Sequence, residues 1–140
     1  KGAVKMLKLQ ILLAAMMTLL MVATASEAYT SLVIDARGLG VMPGMSPKIV
    51  DTQGHEIFGT VQSIDPDQIS EDGLVAYADD VLTARETETA GDKPLVVKAV
   101  AKGSNPSQTS VVVRTNDAED ILNANYASNI LDDRKVIIVL

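Results

Sequence analysis

The densest set of side chains able to do chemistry is the run Asp65-Pro66-Asp67-Gln68-Ile69-Ser70-Glu71-Asp72-Gly73. Asp65, Asp67, Glu71 and Asp72 are the candidate metal ligands, and the ion that such oxygen donors suit is a hard divalent cation such as calcium. Laid on an EF-hand loop, the run has Asp at the first and third positions. It then fails, with Ile69 at the fifth, Ser70 where a glycine makes the sharp turn, and Ala76 where the bidentate Glu belongs. Solvated turn residues and acids at a helix start account for the same pattern.

The other constellations fall short of catalysis. Asp79-Asp80 and Asp132-Asp133 are neighbours in sequence, so within each pair the side chains point to different sides and neither pair makes an acid/base dyad. A pairing across the chain, Asp79 with Asp132, is the remaining way to build one. His55 is the single histidine and falls at an expected hairpin tip, without a Gly-x-Ser-x-Gly elbow elsewhere to supply a nucleophile. Gly38-Leu39-Gly40 follows an apolar run as a phosphate loop would, but the third glycine of a dinucleotide fingerprint falls on Pro43 and no Gly-Lys-Ser/Thr follows. In Asn105-Pro106-Ser107 the proline spoils a glycan acceptor. The chain has no Cys, which excludes disulfides, thiolate metal sites, thiol catalysis and acylation of an N-terminal cysteine. No catalytic or cofactor-binding residue is assigned, no cofactor is implied, and a non-catalytic protein is expected.

The 140 residues carry 18 acidic and 12 basic side chains, a net charge of -6, with a mean hydropathy of +0.20. Acidity and positive hydropathy point to two unlike segments averaged together. Lys1, Lys5 and Lys8 precede an apolar run from Leu9 to Val22, and small residues follow up to Ala28. This is the three-part pattern of a secretory signal peptide, expected over residues 1–28. Ala23-Thr24-Ala25 and Ser26-Glu27-Ala28 both offer cleavage sites, and cleavage after Ala28 is preferred because a strand-like run begins at Tyr29. The apolar run has 14 positions, against about 20 for a helix that crosses a bilayer, so no stable membrane span is expected after cleavage. Three lysines and Glu27 leave with the leader. The acidic and basic counts then become 17 and 9, and residues 29–140 form one domain with a net charge of -8. Such a domain offers no basic stripe to nucleic acid.

The elements that must position any site follow from periodicity. Leu32, Ile34 and Ala36 alternate with Val33, Asp35 and Arg37 as in a strand with one face inside. The glycine- and proline-rich stretch from Gly38 to Pro47 is irregular. A hairpin is expected from Lys48–Asp51 and Glu56–Val61, with Gly54 in its turn. Tyr77 to Thr89 reads as helical. Leu95, Val97, Ala99 and Ala101 alternate with Val96, Lys98, Val100 and Lys102, and this strand is expected to form an antiparallel hairpin with Thr109–Thr115. Asn116 is placed to cap a helix that buries Ala118, Ile121, Leu122, Ala124 and Leu131 on one side. Val136 to Leu140 is an apolar run without alternation, as in a strand covered on both faces or protected by a partner. The expected fold class is α+β, a mostly antiparallel mixed sheet with one or two helices packed on one face.

The runs YTSLVIDARGLG from Tyr29 to Gly40, MSPKI from Met45 to Ile49, and VVRTNDAEDI from Val112 to Ile121 resemble FlgP-type proteins, bacterial exported proteins associated with the flagellar basal body. The resemblance implies a periplasmic or outer-membrane-associated assembly module, often ring-forming, with no catalysis. FlgP-type proteins are commonly lipoproteins, and this chain lacks the cysteine that acylation needs. The first expectation is thus an exported structural or assembly module of the bacterial envelope, flagellum-associated, whose partners are proteins in a homo-oligomer or an envelope complex. The alternative is a soluble periplasmic binding module with a divalent cation as its candidate ligand.

Overall fold

A computed structural model describes residues 28–59 and 73–140. The expected leader up to Glu27 and the candidate ligands Asp65, Asp67, Glu71 and Asp72 lie outside the described residues. The order is β1 (Ser31–Asp35), β2 (Ile49–Asp51), β3 (Glu56–Phe58), β4 (Ala76–Ala78), α1 (Val81–Glu86), β5 (Pro94–Lys98), β6 (Ala101–Lys102), β7 (Val111–Val113), α2 (Thr115–Ser128) and β8 (Val136–Val139). The strands form two sheets, in the orders β4-β8-β1-β5 and β3-β2-β7-β6. The fold is α+β with mixed strand directions.

Strand direction differs from the expectation of a mostly antiparallel sheet. The first sheet is parallel throughout, and in the second β2 and β7 are parallel while β3 and β6 pair antiparallel at its outer sides. The physical reason lies in β1 and β8. Ser31 to Ile34 and Val136 to Val139 are buried without a break, so both faces of these strands are covered, as parallel strands require. Leu32, Ile34, Val136 and Ile138 face a core shared with Ile49, Val111 and Val113 of the second sheet and with Ala118, Ile121 and Ala124 of α2. Val33, Ile137 and Val139 face a smaller core closed by Ala84 of α1 and by Ala90. The two helices therefore serve different cores, α1 closing the smaller one on the parallel sheet and α2 packing on β2 in the larger one, where one shared face was expected.

Several local readings are also revised. Tyr77 belongs to β4, pairing with Ile138, so the expected helix shrinks to α1. Its start is set by Asp80, whose side chain accepts the Thr83 N–H at 2.7 Å, and its end by Thr87, whose hydroxyl donates to the Ala84 carbonyl at 2.7 Å. In α2 the capping position is Arg114 rather than Asn116, and no side chain caps it. Ala118, Ile121 and Ala124 are buried as expected, but Leu122 is 48% exposed because it lies a 100° step from Ile121. Leu131 is buried beyond the helix, in the turn toward β8. That turn is fixed by Asn129 in the left-handed conformation and by the Asn125 side chain, which accepts the Leu131 and Asp132 N–H groups at 2.9 and 3.3 Å.

The hairpin of β2 and β3 forms with its turn at Thr52–His55, and Gly54 takes a φ of +86° there. The segment expected to pair wholly with β7 divides instead: β5 joins β1 in the first sheet, and β6 joins β7 in the second. Its expected alternation holds, with Val97 and Ala99 buried and Val96, Lys98, Val100 and Lys102 exposed.

Candidate functional site

Parallel strands end together, so the carboxyl ends of β4, β8, β1 and β5 form one rim, the place where open parallel sheets usually receive ligands. The register sets Asp35 beside both Val139 and Lys98, and Ala78 beside Val139. The chain then adds Arg37 after β1 and Asp79 and Asp80 after β4. Asp35 and Arg37 meet as a two-pronged pair, Nε to Oδ1 and Nη2 to Oδ2 at 2.9 Å each, and the Arg37 backbone N–H donates to Oδ1 at 3.2 Å. The Arg37 side-chain bond holds the Asp35 carboxyl below its ordinary range against the opposing effect of burial, and the Lys98 charge acts in the same direction. Arg37 is pushed up in turn, by Asp35 first and also by Asp80.

Asp80 is engaged elsewhere. Its Oδ1 takes the Thr83 N–H and its Oδ2 the Thr83 hydroxyl, at 2.7 and 3.1 Å, and these bonds hold it below the ordinary carboxylate range. Arg37, Asp80, Val81, Leu82, Thr83 and Glu86 line an open hollow of about 500 Å³. Asp35 and Asp80 stay ionised at neutral pH and their oxygens are already occupied, so neither is suited to give up a proton to a substrate. The rim is a fixed array of charges rather than an acid/base pair.

A second constellation is the β2–β3 turn. Asp51 is buried and its Oδ1 accepts the Gln53 and His55 N–H groups at 2.9 and 2.8 Å, while Oδ2 faces His55 Nδ1 at 3.0 Å. Burial alone would raise the Asp51 carboxyl, but the His55 and Gln53 bonds outweigh it and hold the group low. The His55 side chain is 73% exposed, as expected of a hairpin tip. Its partnership with Asp51 shapes the turn, since the acceptor oxygen on Asp51 replaces backbone pairing two and four residues on.

The sequence-derived candidates do not converge. Asp79 follows the carboxyl end of β4 and Asp132 precedes the amino end of β8; because these strands are parallel, the two acids sit at opposite ends of the sheet. Gly38 and Gly40 turn the chain with φ of +78° and +76° and lead into no helix. Among the described residues no group of three or more His, Cys, Asp or Glu is placed to hold a metal ion. Sequence reasoning missed the Asp35–Arg37 and Asp51–His55 pairs. The signals were there, in the i, i+2 spacing at a strand end and in an Asp two residues before a turn Gln.

Residues 31–140 match the family model described as Treponema pallidum Tp0624, second domain. The chain belongs to this bacterial family. The span of the Tp0624 second-domain match takes in every described strand and helix, from Ser31 at the start of β1 to the end of β8, so the unit shared with the family is the folded unit. No curated protein matches the chain significantly. No helix among the described residues is long and apolar enough to cross a membrane.

Proposed function

We propose that this protein is a non-catalytic structural or assembly module of the bacterial envelope, exported and acting through self- or hetero-association. The observation that carries the reading is the family match to the second domain of Tp0624, a protein of at least two domains, since neighbouring domains of one chain present surfaces to one another. The commitment of Asp35, Arg37 and Asp80 to bonds within the fold supports it, because these three charges shape a surface and none of the three is left poised for reaction. The FlgP-like runs at Tyr29–Gly40 and Val112–Ile121 extend the proposal to a flagellum-associated envelope protein. Size-exclusion chromatography with light scattering tests association: an assembly that grows with concentration is expected, and a strict monomer that also captures no envelope protein overturns it. A deletion strain that swims normally would remove the flagellar part alone.

The net charge of -8 over residues 29–140 and the acids at Asp65, Asp67, Glu71 and Asp72 support a second reading, a periplasmic binding module for a divalent cation. Binding to the folded state alone raises the melting temperature, so an unchanged melt at millimolar calcium retires it.

A further inference from the structure

α2 buries Ala118, Ile121 and Ala124 and turns its other side to solvent. On that outer side Leu122 is 48% exposed and Tyr126 94% exposed. The helical period stacks the exposed Glu119, Leu122 and Tyr126 into one stripe, and the exposed Asp120 flanks it. An apolar pair rimmed by polar groups has the anatomy of a contact surface, and tyrosine is a preferred anchor in one. The charge on the helix has a single sign. From Thr115 to Ser128 it holds Asp117, Glu119 and Asp120 and no basic residue.

A second surface of opposite sign lies on β5 and β6. The chain from Pro94 to Lys102 alternates in burial, with Val97 and Ala99 inside and Val96, Lys98, Val100 and Lys102 on the exposed side, the two valines 40% and 37% exposed. This stretch holds two lysines and no acid, in a span of net charge -8 over 29–140. Lys102 donates to the neutral Gln108 side chain at 3.1 Å, a bond that leaves its charge in place. Val96 stands beside Val33, which belongs to the smaller core, whereas α2 packs its buried side into the larger one. The valine–lysine stripe and the outer side of α2 are therefore separate surfaces. Helix on helix would gather Glu119 and Asp120 of both copies, and stripe on stripe Lys98 and Lys102 of both, so like charges oppose each self-matched contact. Helix on stripe sets acid against base and apolar against apolar.

We propose that the outer side of α2 docks on the Val96–Lys102 stripe of a second copy of this chain, with Leu122 and Tyr126 covering Val96 and Val100 and with Glu119 and Asp120 facing Lys98 and Lys102. This deepens the assembly reading and rests on it, naming the partner and both surfaces. Because the two surfaces differ, each pair of joined copies still offers one of each, and the assembly continues past a dimer. Light scattering on the purified protein at low salt, over a range of concentrations, tests the contact with two charge-reversed variants, Glu119→Lys/Asp120→Lys and Lys98→Glu/Lys102→Glu. All four positions are exposed, so both variants are expected to fold, which circular dichroism checks. The parent protein should grow beyond a dimer, and each variant alone should associate about tenfold or more weakly. Mixed in equal amounts, the two variants should associate again, since the reversed helix of one meets the reversed stripe of the other. Tyr126→Ser in both should remove that rescue. A mixture no better than its components, or association lost in one variant only, overturns the proposal. An oligomer that persists unchanged in both variants also overturns it and leaves the assembly reading standing. A parent that stays monomeric overturns this contact, and the assembly reading falls with it only where no envelope protein is captured either.

Discussion

The Tyr77 hydroxyl and the Gly44 peptide exchange two hydrogen bonds: the hydroxyl accepts the Gly44 N–H at 2.9 Å and donates to the Gly44 carbonyl at 2.8 Å. This pair ties the glycine- and proline-rich crossing after β1 to the outer strand β4 of the parallel sheet. Tyr77 is half-buried, and burial pushes its hydroxyl pKa up, so it remains protonated and able to donate throughout the ordinary pH range. Tyr77→Phe keeps the ring and leaves both Gly44 groups without this partner. A loss of about 1–3 kcal/mol is expected in urea unfolding with an unchanged m value. An unaltered midpoint would mean that the crossing is held by other contacts.

Gly44 answers to a second neighbour. A Cβ placed on it would run into the Thr109 Cγ2 methyl, so the crossing lies tight against the loop before β7. Gly44→Ala is expected to cost about 1–3 kcal/mol by overpacking. Thr109→Ser removes the obstructing methyl and keeps the hydroxyl that accepts from Asn105 at 3.0 Å. The double variant should therefore recover part of the loss, a non-additivity read directly from a double-mutant cycle. Strictly additive costs would place the effect of Gly44→Ala elsewhere.

Both faces of β8 are sealed, since Ile137 and Ile138 are each 0% exposed and belong to different cores. Ile137→Ala and Ile138→Ala are each expected to destabilise by about 2–5 kcal/mol. Val96→Ala, on the outer strand, should change stability by less than about 1 kcal/mol. Chemical denaturation of the three variants checks the layer arrangement. A near-neutral Ile137→Ala would show that α1 and Ala90 do not close the second core.

The apolar run at Val136–Val139 was legible as a strand covered on both faces, and Gly54 as the turn of a hairpin, because each depends on a few adjacent residues. Strand direction was less legible. The alternation of Leu95 to Lys102 is the same whether the strand pairs forward with β1 or backward with β7, and it does each in turn. The unbroken apolar run Leu32–Ile34 was the cue to parallel pairing, but Asp35 and Arg37, falling on the same alternate positions as Val33, made it look like a strand with one wet face. Among candidate residues, His55 was correctly placed at a tip, while its partner Asp51 was invisible to any search for catalytic spacing. The bond between them builds a turn, and turn-building acids carry the same letters as reactive ones.

Acid stability should report Asp51 most cleanly. Its folded-state pKa is depressed, as are those of Asp35 and Asp80, so the unfolded chain binds protons more readily at these sites than the native one. The stabilisation they supply is complete above the unfolded value, about 3.9 for Asp, and is lost as pH falls through the lower folded values. The melting temperature is therefore expected to be insensitive to these groups from neutral pH down to about 4 and to fall below it. Asp51→Asn retains an oxygen to accept the Gln53 and His55 N–H groups but cannot ionise. It should melt lower than the parent protein at neutral pH, and the gap should narrow as acid protonates the parent's own Asp51. A gap of constant size across that range would mean that the turn depends on the shape of residue 51 and not on its charge.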